Sequence, residues 1–534
     1  MQHNFPFYLF ASLILFCPFS ILFLGFFPES RLNKRPFYFA VLGSRMAFLA
    51  FISSLLSVFF LIRTGPLLYY FTLNGRSFEL LYFDALSALI LVLICFLLSI
   101  ILRFSSRYLD GDKHHGRFTK WLCLTGGSVL FIVISGNLIE LSMAWVSTSL
   151  CLHQLLQFYP ERPGALLAAK KKFIISRLGD ICLLGVLILV YREFHSWDFE
   201  PIFRTVGSLN GQQRDIFIQH INPICLLLVG GAMMKSAQFP FHSWLPDTME
   251  TPTPVSALMH AGIINAGGFL IIRMGSMVSL SHAAMATLAF FGALTALLGS
   301  LVMLTHSSIK RVLAFSTIAQ MGFMMLECGL GAFSLALLHL LSHSLYKAYE
   351  FLSSGTIKSS GKSFLSPMDS SPKKVFPFLF SFFSSFLLVY GISSILKISS
   401  FNNPPNLVLT IFFSLSIGFF LWNLWSRKWS LFFVIIGLAG SMGISLAYFT
   451  LHKLFQEKIL VSLSNNYQSY SPLEYVLVGF LVLLFVVVLL IQVELPSRMR
   501  STFLGSLYVH ARNGFYFNTL FNQWVSAIWP SERK

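Results

Sequence analysis

The sequence predicts an all-α polytopic membrane protein with roughly fifteen transmembrane helices, some of them broken. Three observations carry that expectation. The chain of 534 residues is 55% hydrophobic and 11% charged, with a mean hydropathy of +0.72, whereas a soluble domain carries about 25% charged residues. Apolar runs of about 20 residues, the length that crosses a bilayer, recur along the whole chain. The formal net charge of +17 sits in short loops between those runs, where it orients a membrane protein rather than binding nucleic acid. The seven cysteines are scattered through apolar segments without metal-ligand spacing and read as small hydrophobes.

In chain order, spans are expected near 6–28, 37–62, 80–102, 118–136, 138–159, 172–192, 222–238, 255–274, 284–304, 309–329, 332–354, 375–397, 406–426, 431–451 and 474–493. The first begins at Pro6 without a basic leader or an A-x-A-like site, and is expected to stay as a span. Loops after odd-numbered spans are rich in Lys and Arg (Arg31, Lys34 and Arg35; Arg162 with Lys170, Lys171 and Lys172; Lys310 and Arg311), and those after even-numbered spans are poor. The positive-inside rule then puts the N-terminus outside and the C-terminus in the cytoplasm, in a cell (inner) membrane. The chain divides into N-terminal helices (1–136), a core holding the intramembrane charges (137–355), a Ser- and Lys-rich cytoplasmic linker (356–374), C-terminal helices (375–497) and a cytoplasmic amphipathic tail (498–534). The tail either docks a partner or lies on the bilayer.

The stretch from Met233 to Arg273 is an apolar segment carrying Lys235, then a break rich in proline and acid, then a second apolar segment carrying His260. Irregular backbone at membrane depth is tolerated only where it is buried in protein or lines a wet cavity, and ionisable groups there are functional candidates. Lys235 is expected just before the break, where freed carbonyls could accept its protons. His242 and Asp247 belong to the break, at the membrane edge.

In the eleventh span His339, His343 and Lys347 fall at i, i+4 and i+8, so they share one helix face and climb about 6 Å per step. Histidine titrates near neutrality and a desolvated lysine can gain and lose a proton. One such residue alone would read as a satisfied core group or a snorkelling lysine; three on one stripe read as a proton path. Glu350 follows Lys347 at i+3 and could pair with it. Arg177 and Asp180, at i and i+3 in the sixth span, form a plausible ion pair that is either structural or functional. His153 and Glu140 lie in the fifth span, with Glu140 near the outer end as a capping or snorkelling group. Lys170, Lys171 and Lys172 read first as surface charge, and Asp84 as a helix cap. No phosphate loop, CxxC pair, HExxH or GxSxG with its strand–helix context appears, so no catalytic, cofactor or metal residue is expected on this chain. What remains is the movement of protons or small cations.

KSAQFPFHSWLPDTMETPTPVSALMHAG (235–262), SSIKRVLAFSTIAQMGFM (307–324) and HLLSHSLYKAYEFLSSG (339–355) resemble the antiporter-like proton-translocating subunits of respiratory complex I (the NuoL branch) and of Mrp-type antiporters. FDALSAL (83–89) and SRLGDICLL (176–184) extend the resemblance. It implies an antiporter-like fold in which Lys235 is the broken-helix lysine and His260, His339, His343 and Lys347 line a central hydrophilic axis. One departure matters. The complex I subunits carry a Trp-Glu pair in the fifth helix, and here Trp145 is followed by Val146. The segments 149–180 and 251–271 and the tail YVHARNGFYFNTLF (508–521) are similar instead to DabB-type membrane subunits of DabA–DabB inorganic carbon transporters. That resemblance implies a cation-translocating subunit, the cation being a proton, that powers a cytoplasmic DabA-like partner. The partner would carry the zinc of a carbonic-anhydrase-like site and turn CO2 into bicarbonate. The alternatives are a proton-pumping NuoL-type subunit of NADH-quinone oxidoreductase and an Mrp-type sodium/proton antiporter subunit. The lipid bilayer is a partner in every case.

Overall fold

A computed structural model describes residues 5–73, 76–209, 212–355, 375–398, 404–427, 430–459, 479–480, 482–483, 485–487 and 502–529. Among these, twelve helices are long and apolar enough to cross a membrane. The expected linker at 356–374 and most of the expected span at 474–493 lie outside the described residues.

The first two spans are α1 (Phe5–Gly25) and α2 (Pro36–Thr64). The chain then departs from an all-helical plan. Leu67–Leu73 (β1) and Arg76–Phe83 (β2) pair as an antiparallel hairpin. The run of alternating and β-branched-poor but aromatic residues in LLYYFTL and SFELLYF suits a pleated, half-buried ribbon, and it displaces the start of the third span from 80 to Ala85. Helices α3 (Ala85–Tyr108), α4 (His115–Ile134), α5 (Leu138–Leu156) and α6 (Pro163–Phe194) follow. Each of α3 and α5 opens on a side-chain cap, Asp84 accepting from the Ser87 amide at 2.9 Å and Asn137 from the Glu140 amide at 2.8 Å. Helix α6 runs longer than its expected span because its Lys-rich first turns are drawn into the protein.

Helix α7 (Gln212–Lys235) stops at the break, and α8 (Thr253–Arg273) resumes after it, bent at a 3-10 turn over Ile263–Asn265. Every residue of α8 is buried, which makes it the centre of the bundle. Around it stand α9 (His282–Thr305), α10 (Ile309–Gly329) and α11 (Phe333–Ser353). The remaining helices are α12 (Val375–Ile395), α13 (Pro404–Arg427), α14 (Leu431–Lys458) and, in the tail, α15 (Thr502–Arg512) and α16 (Phe517–Ile528).

The bundle has a hairpin end and a tail end. At the hairpin end Arg273, the last residue of α8, grips Asp84 with both guanidinium nitrogens (2.8 and 3.1 Å), tying the starts and stops of two spans together. Helices α9 and α10 meet backbone to backbone. A Cβ on Gly322 would lie 2.4 Å from the Ala296 nitrogen, and one on Gly329 would lie 2.3 Å from the Ala289 nitrogen. With Gly292 and Gly299 facing them, these small residues form the close helix–helix seam that membranes favour, where packing replaces the hydrophobic effect.

Candidate functional site

Side chains and a neighbouring helix take up part of the backbone freed at the break between α7 and α8. The Ser236 hydroxyl donates to the Ile264 carbonyl at 2.7 Å, the Gln238 side chain donates to the Ser236 carbonyl at 3.0 Å, and the Phe239 amide donates to the Thr295 hydroxyl at 3.0 Å. Neighbouring helices thus satisfy what an unbroken helix would satisfy itself. Lys235 closes α7 and is buried. Its ammonium points away from the break: it donates to the Trp145 carbonyl of α5 at 3.4 Å and sits 4.3 Å from the centre of the Trp145 ring. The expected carbonyls of the break are therefore not its partners.

Around Lys235 lie two further cations and one carboxylate. Lys172 is buried, not exposed as its place in a basic loop suggested, and donates to the Ser149 carbonyl and hydroxyl at 2.5 and 2.8 Å. It faces Lys235 electrostatically. Arg177 and Asp180 form the expected ion contact at 2.7 Å, and both act on Lys235 through space. Val146 is partly buried and uncharged, so Asp180 is the carboxylate that serves this group of cations among the described residues. His153 stands nearby on α5, its ring 5.2 Å from Phe173 and within electrostatic reach of Lys172.

From Lys235 the polar residues continue across α8 to α11. His260 is fully buried, stacked 4.2 Å from the Phe351 ring. Asn265 donates to the Ser344 hydroxyl at 2.8 Å, pinning α8 to α11 at this level. Neither ring nitrogen of His260 or His343 has a hydrogen-bond partner among the described residues; buried imidazoles of this kind are completed by water or serve as relays. On α11 the stripe is as its spacing predicts. His339 and His343 have ring centres 6.2 Å apart, and Lys347, buried, donates to the Ser316 hydroxyl at 2.6 Å and to Glu350 at 2.7 Å.

Two residues of this line escaped sequence reasoning. Glu327 of α10 is buried, and its Oε2 lies 3.0 Å from His339 Nδ1, while Gln320 Oε1 lies 2.8 Å from His339 Nε2. An acid inside an apolar span is itself a signal, but Glu327 sits two residues before a helix end, where it passes for surface charge. Lys172 was hidden by its two lysine neighbours.

Asp247 belongs to a different cluster, at the tail end. It pairs with Lys171, also buried, and accepts from the Asn518 amide of α16 at 3.2 Å; Lys171 reaches Asn518 at 2.5 Å as well. Phe517 packs on Phe239 with ring centres 5.3 Å apart and on His242 at 6.0 Å. The tail therefore docks on the chain's own break. Glu140 accepts from the Gly136 amide at 3.3 Å at the hairpin end, a capping role as expected.

Residues 135–368 match the family model described as NADH:quinone oxidoreductase/Mrp antiporter, TM, and residues 78–119 match the one described as NADH-Ubiquinone oxidoreductase (complex I), chain 5 N-terminus. The chain is 36% identical, over 84% of its own length and 80% of the relative's, to a probable inorganic carbon transporter subunit DabB2 of Halothiobacillus neapolitanus. It is 35% identical, over 89% and 88%, to a probable DabB of Hydrogenovibrio crunogenus. A chain 5 of NADH-ubiquinone oxidoreductase from Metridium senile is 36% identical, but over only 52% of this chain and 45% of that one. The fold resembles a chain in the Mrp complex of Dietzia sp. DQ12-45-1b with a TM-score of 0.63 at 18% identity, covering 99% of this chain and 61% of the other. Length-wide similarity to one group, and core-only similarity to the other, decide the matter: the chain belongs to the DabB family of antiporter-like, cation-translocating membrane subunits.

Proposed function

We propose that this chain passes protons by way of Lys235, His260, His339, His343 and Lys347, and that their flow powers inorganic carbon accumulation by a complex of which it is the membrane subunit. The observation that carries this reading is that α7, α8 and α11 each bury titratable groups, Lys235, His260, and His343 with Lys347. Histidine can take a proton on one ring nitrogen and release it from the other. Lys235, held by the Trp145 carbonyl, and Lys347, held by the Ser316 hydroxyl and the Glu350 carboxyl, can hold a proton and let it go. The partner is a DabA-like cytoplasmic protein whose own zinc site hydrates CO2 to bicarbonate, while this chain supplies the driving ion. By the distribution of Lys and Arg, the hairpin end faces outward and the tail end faces the cytoplasm of an inner-membrane protein.

Lys235→Ala and Lys347→Ala test the path. Both variants should assemble in the membrane, keep the partner bound and lose bicarbonate accumulation. Full accumulation in both would refute the path. Co-purification in mild detergent identifies the complex: a large soluble zinc protein supports the reading, whereas flavin and iron–sulfur subunits would move the chain to a respiratory complex, and several small metal-free membrane subunits to an antiporter.

A further inference from the structure

The α11 stripe does not end at His339. Glu327 lies two residues from the end of α10, about 3 Å of helix rise, at the hairpin end of the bundle. His339 lies six residues, about 9 Å, inside α11 from the same end. Their side chains meet at 3.0 Å, and Gln320 closes the other side of the imidazole at 2.8 Å. The imidazole is thus held between a carboxyl oxygen and an amide oxygen, one at each ring nitrogen. The Glu327 side chain is only 5% exposed. Structural economy would put an apolar residue there. The pair also borders a cavity of about 680 Å³ between α9, α10, α11, α13 and α14, whose walls are mostly apolar but include Ser300, Ser342, Ser416 and Tyr448 beside the Glu327–His339 pair. A water occupies about 30 Å³ of liquid, so the cavity has room for a hydrated approach to the imidazole.

We infer that Glu327, with His339 and Gln320, is the mouth through which protons enter the α11 stripe from the hairpin side. The step is a plain proton transfer: a hydrated proton from the hairpin side protonates the Glu327 carboxylate, the carboxyl passes its proton to His339 Nδ1, and the ring releases the proton of its Nε2, which faces Gln320, through water toward His343. This rests on the proton path proposed above, and it assigns the acid that the path needs at its outer end, in a chain whose fifth helix carries Val146 where related subunits carry glutamate.

The test uses the full chain with its natural partner in native membranes. Glu327→Gln removes the exchangeable proton and keeps the shape, and should lower accumulation at least tenfold with normal assembly; Glu327→Asp should recover a substantial part. The dependence on external pH should flatten in Glu327→Gln. The other groups facing the pair are His343 on its own stripe, Cys328 on α10 and Tyr448 on α14; all of them remain in the variant. If Lys347→Ala is inactive and Glu327→Gln runs at the full rate, the mouth is elsewhere and the path stands. If both run at the full rate, the path itself falls. Should Glu327→Gln fail to assemble, Ser342→Cys decides: labelling from the outer side by a membrane-impermeant thiol reagent, above the parent's background, supports a wet approach, and its absence overturns it.

Discussion

The two ends of the polar axis are charged in different ways. On α11 each cation or imidazole at the margin has a carboxylate of its own: Lys347 has Glu350 at 2.7 Å and His339 has Glu327 at 3.0 Å. Around Lys235, the cations Lys172, Arg177 and Lys235 share Asp180. A paired buried charge is tolerable, and a surplus buried charge costs several kcal/mol. On the proposed path, the α11 end would hold protons in neutral pairs, and the Lys235 end would give one up when a second positive charge approaches. A chain with two like ends would have no preferred direction of response.

The largest effect expected from disturbing this contrast is at Asp180. Asp180→Asn leaves the three cations without a carboxylate among the described residues. It should stop accumulation and lower the yield of folded protein, since the buried Lys172 and Lys235 lose the carboxylate near them; an unaltered yield and rate would show that the cations are neutralised otherwise. Val146→Glu sharpens the contrast. It places an acid next to Trp145, whose carbonyl already receives the Lys235 ammonium, and should partly restore Asp180→Asn in both yield and accumulation. Glu350→Gln should be milder, about two- to fivefold in rate, because Lys347 keeps its Ser316 contact and Glu350 is partly exposed to screening solvent.

Asn518→Ala acts outside the axis. It removes hydrogen bonds to Asp247 and Lys171 and should loosen the tail by about 1 kcal/mol, seen as faster proteolysis after Arg512 with little change in rate. The smallest effect on transport is at the hairpin. Burial, with Asp198 and Glu200 nearby, pushes the Glu79 carboxyl up to about 8 from its ordinary 4.5. The folded chain then binds more protons than the unfolded one between those values, so this contribution to stability is complete below about 4.5 and is lost as pH rises through about 8. Glu79→Gln should flatten the thermal stability between pH 5 and 8 and leave transport alone. Melting curves across that range check it.

Much of this was legible in the sequence because membranes impose few solutions. Helix after helix follows from apolar length, and the α11 stripe follows from i, i+4 spacing alone. The break at 236–252 was marked by its prolines. What stayed hidden depended on partners far along the chain. The basic run at 170–172 reads as loop charge until Asp247, 76 residues on, and Ser149 are seen to bury two of its lysines. Likewise, only the packing of α10 on α11 shows that Glu327 faces His339. The hairpin was missed because its aromatic, alternating residues adjoin an apolar run, and hydropathy alone cannot separate strand from span.

The glycine seam between α9 and α10 sets the mechanics of the whole site. With backbone against backbone there is no layer of side chains to shear or re-pack, so the two helices must move as one stiff plate. Glu327 and Ser316 are fixed to that plate, whereas His339 and Lys347 ride on α11. Any change in the spacing of donor and acceptor along the stripe is then a displacement of α11 against a rigid ruler. A single added methyl at Gly322 would bend the ruler and detune both of its marks at once.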